Sequence, residues 1–68
     1  ANMEDFLGTE LVVGDKVILV EPRYRNFVHG TIHKMTKFYC FINYINSNGY
    51  PQEVKQYGEQ LIKLRSPK

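Results

Sequence analysis

A chain of 68 residues with 43% hydrophobic and 24% charged side chains has room for one domain and is too apolar for intrinsic disorder or low complexity. Its single cysteine, Cys40, excludes an intramolecular disulfide framework and fits a reducing cytoplasm. No apolar run approaches the roughly 18 residues that span a bilayer, and no signal-peptide pattern opens the chain, so a soluble cytoplasmic protein is expected. The formal charge of +2 is too small to imply a partner, but its distribution is uneven. Up to Glu21 the acids Glu4, Asp5, Glu10, Asp15 and Glu21 face one base, Lys16; from Pro22 to Ile45 stand Arg23, Arg25, His29, His33, Lys34 and Lys37 with no acid. Such segregation predicts one electropositive face.

Ala1-Asn2 ahead of Met3 read as the remnant of a cleaved tag, which makes Met3 the expected native start. Residues 1–12 form an N-terminal arm in which Phe6, Leu7 and Leu11 surround a Gly8-Thr9 turn, too short and too broken by glycine for a helix. The Gly14-Asp15 turn leads into a first strand over Lys16–Glu21 with Val17 and Leu19 inward. Ile18 and Val20 then face outward and require a cover, either the arm or a second copy of the chain. The arm is the favoured cover, and a monomer is favoured over a homodimer.

The connection EPRYRNFVHG is too long for a tight hairpin and holds a proline, two arginines and two aromatics; loops of this length carry function. A second strand runs from His29 to Met35, with Gly30 and Ile32 on one face and His29, Thr31 and His33 on the other. A third covers Phe38–Ile45, where Cys40, Ile42 and Tyr44 alternate with Tyr39, Phe41 and Asn43, the second set being the more solvated. Asn48-Gly49 turns the chain into a short fourth strand, Tyr50–Val54. One helical or 3₁₀ turn over Lys55–Glu59 precedes a fifth strand, Gln60–Leu64, with Leu61 or Ile62 inward, and residues 65–68 are a flexible tail.

Five short strands with a long first loop, a hairpin between the third and fourth, and one helical turn before the fifth predict an all-β fold, a small five-stranded SH3-like barrel over residues 13–64. Val13-Gly14-Asp15-Lys16-Val17 ahead of the first strand and Gly30 ahead of the second resemble the KOW and Tudor branch of that fold. Leu7-Gly8, Leu11, the same Val13–Val17 run, Tyr24-Arg25, Val28 and Gly30 together resemble small accessory proteins of tailed bacteriophages. The resemblance spans about Phe6 to Leu64. It implies a non-enzymatic module acting by binding, in the cytoplasm of a bacterial host.

Site chemistry narrows in the same direction. His29 and His33 have the i, i+4 spacing of a helical zinc motif, but on a strand that spacing is roughly 13 Å, too far for one ion. No nucleophile has a base and an orienting third group at a recognisable spacing, and the glycines stand singly rather than as a phosphate loop. Neither a cofactor nor a metal is expected. What remains is a basic and aromatic surface: Arg23, Tyr24, Arg25, Lys34, Lys37, Tyr39 and Phe41, suited to nucleic acid, and the resemblance to KOW-type modules favours duplex DNA over RNA. The alternative is a host enzyme or transcription complex docked on Tyr24, Phe27, Tyr39 and Phe41. In the plainest use of these residues, Tyr24 and Phe27 close one end of the barrel and the arginines only solvate the loop.

Overall fold

The period of two carries through to the core. In a computed structural model, which describes residues 3–65, the strands are β1 (Lys16–Val20), β2 (Phe27–Met35), β3 (Cys40–Ile45), β4 (Pro51–Gln56) and β5 (Ile62–Lys63), with a 3₁₀ turn η1 (Gly58–Gln60) before β5. All pairings are antiparallel, in the order β4-β3-β2-β1-β5. The fold is thus all-β in one five-stranded sheet, open between β4 and β5. Val17 and Leu19 from β1, Ile32 from β2, Cys40 and Ile42 from β3, and Leu11 and Leu61 from the flanking segments make the buried core. Met3, Val28, Met35 and Val54 pack around it. Ala1, Asn2 and most of the expected tail, residues 66–68, lie outside the described residues.

Several boundaries differ from expectation. β3 starts at Cys40 rather than Phe38, because the Thr36 amide donates to the Tyr39 carbonyl (2.9 Å) and Thr36 Oγ1 accepts from the Tyr39 amide (3.1 Å), closing a turn that holds Phe38 outside the sheet. β4 continues through Lys55 and Gln56, since β3 supplies partners for both, and the helical turn moves to Gly58–Gln60. β5 shrinks to two residues, with Leu61 buried and Ile62 on the outer face beside Ile18. β2 begins earlier, at Phe27, opposite Val20.

Two features of β2 bend the sheet around the core. A Cβ on Gly30 would stand 2.5 Å from the Asn43 carbonyl oxygen and 2.6 Å from Ile42 Cγ2, so this position accepts no side chain. Beyond Ile32, which pairs with Ile42, the register shifts so that Lys34 pairs with Phe41 and Met35 with Cys40. His33 is the extra residue of this β-bulge.

The arm is more ordered than a lead-in. Glu4 bridges Glu10 around the Gly8 turn, the Leu11 amide donates to the Met3 carbonyl (2.9 Å) and the Phe6 amide to the Leu61 carbonyl (2.8 Å). Asp5 is 5% exposed. Its Oδ1 accepts from the amides of Leu7 (2.9 Å) and Thr9 (2.8 Å), and its Oδ2 from the amide of Lys63 (2.7 Å). Burial raises the Asp5 pKa, but the amides of Lys63, Thr9, Leu7 and Gly8 outweigh it and hold the carboxyl below its ordinary value. The arm nonetheless leaves the outer face of β1 uncovered, with Phe6 69% and Val20 46% exposed.

Two outcomes test this arrangement. Gly30→Ala is expected to lower stability by about 3 kcal/mol, because backbone and core atoms must both move; urea unfolding measures it. Asp5→Asn is expected to cost about 2 kcal/mol at pH 7 through lost charge-assisted hydrogen bonds. Because the folded carboxyl is depressed, its contribution is complete above the ordinary carboxylate value near about 4 and disappears as pH falls through the folded value. The gap between the native protein and Asp5→Asn should therefore close on acidification, in unfolding curves recorded from pH 7 down to pH 2.5.

Candidate functional site

The outer face of β2, β3 and β4 concentrates the basic and aromatic side chains. Lys34, Phe41 and Lys55 lie in one row across the three strands, in register. Lys34 Nζ stands 5.2 Å from the centre of the Phe41 ring, and Lys55 Nζ 4.5 Å from that of Tyr39. Tyr39 in turn meets Tyr57, ring centres 4.9 Å apart and hydroxyls 3.3 Å apart. In the turn at the same end of β2, Lys37 Nζ lies 5.5 Å from the Phe38 ring centre. Ring quadrupoles hold these ammonium groups against the surface with their outer sides in water. The hydrogen bond with the Tyr39 hydroxyl pushes the Tyr57 phenol above its ordinary value.

One row further along, the bulged His33 ring pairs through Nε2 with Glu53 on β4 and meets Phe41 edge-on, ring centres 6.4 Å apart. Beyond it a shallow groove of about 480 Å³ runs past Asn43, Thr31, His29 and Lys16, with Pro51 and Glu53 on its β4 side. Lys16 Nζ donates to Thr31 Oγ1 at 3.0 Å, which places a further ammonium group at the groove's end.

The expected site residues divide between two places. Lys34, Lys37, Tyr39 and Phe41 come together at the C-terminal end of β2. Arg23, Tyr24 and Arg25 occupy the β1–β2 loop at the other end of a nine-residue strand, roughly 26 Å away at strand rise. That loop is pinned rather than loose. The Arg25 amide donates to the Glu21 carbonyl (3.0 Å) and the Glu21 amide to the Asn26 carbonyl (2.6 Å), with Arg25 itself at φ 60°. Glu21 is 2% exposed, and its carboxylate accepts from Ser47 Oγ (2.6 Å) and the Ser47 amide (3.3 Å), tying the loop to the β3–β4 turn. Burial and the Glu21 charge push the neighbouring Tyr44 phenol up. Tyr24 and Phe27 do not close the end of the sheet, for they are 51% and 77% exposed.

Lys55, Tyr57 and Lys16 belong to the basic and aromatic face but were not singled out from sequence. The signal for two of them was present. Asn48-Gly49 sets the β3–β4 register, and extending that ladder past Val54 puts Lys55 opposite Phe41 and brings Tyr57 level with Tyr39. Cys40 is buried in the core, its thiol pushed up by desolvation and 3.2 Å from Met3 Sδ. Among the described residues no group of three or more His, Cys, Asp or Glu side chains is placed to hold a metal ion, and no helix is long and apolar enough to cross a membrane.

Fold and face together define a small all-β domain of five antiparallel strands with lysines seated on aromatic rings. The chain belongs to the family described as "Domain of unknown function (DUF7205)", whose model matches residues 3–64. No curated protein and no solved structure matches the chain.

Proposed function

We propose that this domain is a non-enzymatic binder of nucleic acid, DNA in preference to RNA, working through the outer face of β2, β3 and β4. The observation that carries the reading is the row Lys34–Phe41–Lys55 with Tyr39 and Tyr57 beside it: two ammonium groups and three rings on one sheet face. Lys34, Lys37, Lys55 and Lys16 neutralise phosphates, and the outer side of Tyr57 offers a surface on which a base can stack. Arg23 and Arg25 serve as a second, distant contact. At about 3.4 Å per nucleotide, a strand reaching both ends of β2 is about eight nucleotides long. The turn motifs Val13–Val17 and Gly30 support placing the domain among KOW- and Tudor-like SH3-type barrels of phage accessory proteins acting in a bacterial cytoplasm.

Docking on a host enzyme through Tyr24, Phe27, Tyr39 and Phe41 is less well supported. These four rings do not share a patch: Tyr39 and Phe41 lie half-buried beneath Lys55 and Lys34, at the opposite end of β2 from the other two.

Fluorescence anisotropy with labelled oligonucleotides tests the reading. Micromolar affinity at low salt is expected, falling as salt rises with a log–log slope near about −4 for four neutralised phosphates. Lys34→Ala combined with Lys55→Ala should weaken binding about tenfold or more and make the slope shallower by about two. No binding at low salt with tens of micromolar protein removes the proposal.

A further inference from the structure

The two edges of the sheet are not alike. At the β5 edge the arm occupies the backbone: Asp5 Oδ2 accepts from the Lys63 amide (2.7 Å), and the Phe6 amide donates to the Leu61 carbonyl (2.8 Å). At the other edge β4 pairs with β3 alone. The turn between them sets the phase of that ladder. The Asn46 amide donates to the Tyr50 carbonyl (2.9 Å), and hydrogen-bonded pairs recur at every second residue from there, so Gln52, Val54 and Gln56 direct their backbone groups to β3. Pro51, Glu53 and Lys55 direct theirs away from the sheet, and a proline with no amide to offer suits such an edge position. Among the described residues no backbone bond takes up the outward groups of Glu53 and Lys55. Beyond them the Tyr57 amide is taken by Gln60 Oε1 (3.0 Å). A short stretch with two free amides is left open, bounded by a proline and a turn.

The side chains on this stretch say which strand fits it. Glu53 and Lys55 lie on one face of β4, two residues apart. Glu53 meets the His33 ring, and the Lys55 ammonium group lies over the Tyr39 ring with no carboxylate partner among the described residues. A second β4, laid antiparallel about a two-fold axis through Val54 and perpendicular to the sheet, sets Glu53 of each copy directly opposite Lys55 of the other. Both residues direct their backbone groups outward, so each such pair exchanges two hydrogen bonds. Sliding the strands by two residues opposes Glu53 to Glu53 or Lys55 to Lys55, and like charges directly opposite destabilise a ladder. The edge is therefore complementary to itself in one register. We infer that β4 is the seam of an isologous homodimer, held by Glu53–Lys55 pairs between the copies. The occupied β5 edge ends the joined sheet on both sides, so assembly closes at two copies rather than running on as a fibre.

A perpendicular axis keeps the outer faces of both copies on the same side, which places the two Lys34–Phe41–Lys55 rows on one surface. The seam itself does not depend on nucleic-acid binding, because β4 backbone and charge define it and the protein alone forms it. So narrow a contact falls below the roughly 1,200 Å² of standard specific interfaces, and a reversible dimer with a dissociation constant on the order of 100 µM is expected. Salt should weaken it.

Sedimentation equilibrium of the full chain alone, from 5 µM to 1 mM at low salt, tests the seam. The expected result is a mass rising from 8.0 kDa towards twice that value, with the Glu53 and Lys55 amide NMR signals shifting as concentration rises. Glu53→Lys and Lys55→Glu should each raise the dissociation constant at least tenfold. An equimolar mixture of the two should recover it, since every pair across the seam is then again of opposite charge. Glu53→Pro removes an outward amide without cutting the β3–β4 ladder and should weaken the dimer while the amide spectrum keeps its dispersion. A mass that stays at 8.0 kDa at 1 mM overturns the inference. So does a dimer that leaves the Glu53 and Lys55 amides unshifted, or a mixture that associates no more tightly than either variant alone.

Discussion

The Asp5 carboxylate holds the two ends of this chain together. It lies within the bridged turn Glu4 to Glu10, yet its second oxygen takes the amide of Lys63, so arm and β5 fasten each other. Glu21 plays the matching part at the far end of the sheet, where its buried carboxylate joins the β1–β2 loop to the β3–β4 turn through Ser47. With seven buried apolar side chains, the core alone has little surface with which to order two long excursions. A buried carboxylate is costly unless its lone pairs are satisfied. No buried side-chain polar atom among the described residues lacks a hydrogen-bond partner. The same two acids therefore act as clips rather than as members of a charged surface.

The face carrying the lysines depends on β2 changing phase. Up to Ile32 the strand alternates in one sense, and the extra residue at His33 reverses it, so that Met35 turns in towards Cys40 while Lys34 turns out over Phe41. Without the bulge the alternation would direct Lys34 into the core and Met35 to water. The cation–ring row thus rests on one inserted residue, and His33, freed from the ladder, takes Glu53 as its partner.

Much of the fold was legible because strands and turns announce themselves locally. Val17 and Leu19, Ile32, Cys40 and Ile42 follow the period of two, and the turns at Gly14-Asp15 and Asn48-Gly49 separate the runs. What could not be read locally is what depends on partners distant in sequence. Asp5 and Glu21 counted as two acids in an acidic half, with nothing in their neighbours to mark them as buried. The bulge leaves no trace in the composition of HGTIHKM. The run of bases from Arg23 to Lys37 is continuous in sequence, but a strand of full length separates its two halves in space. Lys55 and Tyr57 stood outside the basic segment and entered the face through pairing with β3.

The order of the strands has a kinetic side. β1 pairs with β2, β2 with β3 and β3 with β4, a meander whose contacts close short loops, whereas β5 returns across the whole meander to lie against β1. Loop-closure entropy makes that last pairing the slowest to form. Only two residues long, β5 with the arm clipped to it is also the first unit expected to open. The lysines of the basic face and the rings of Tyr39 and Phe41 belong to the meander and survive such opening. The apolar groove over Ile18 and Val20 needs Phe6 and Ile62 and vanishes with it. The two surfaces of one small sheet thus have different lifetimes, one as durable as the domain and the other only as durable as the docking of its two ends.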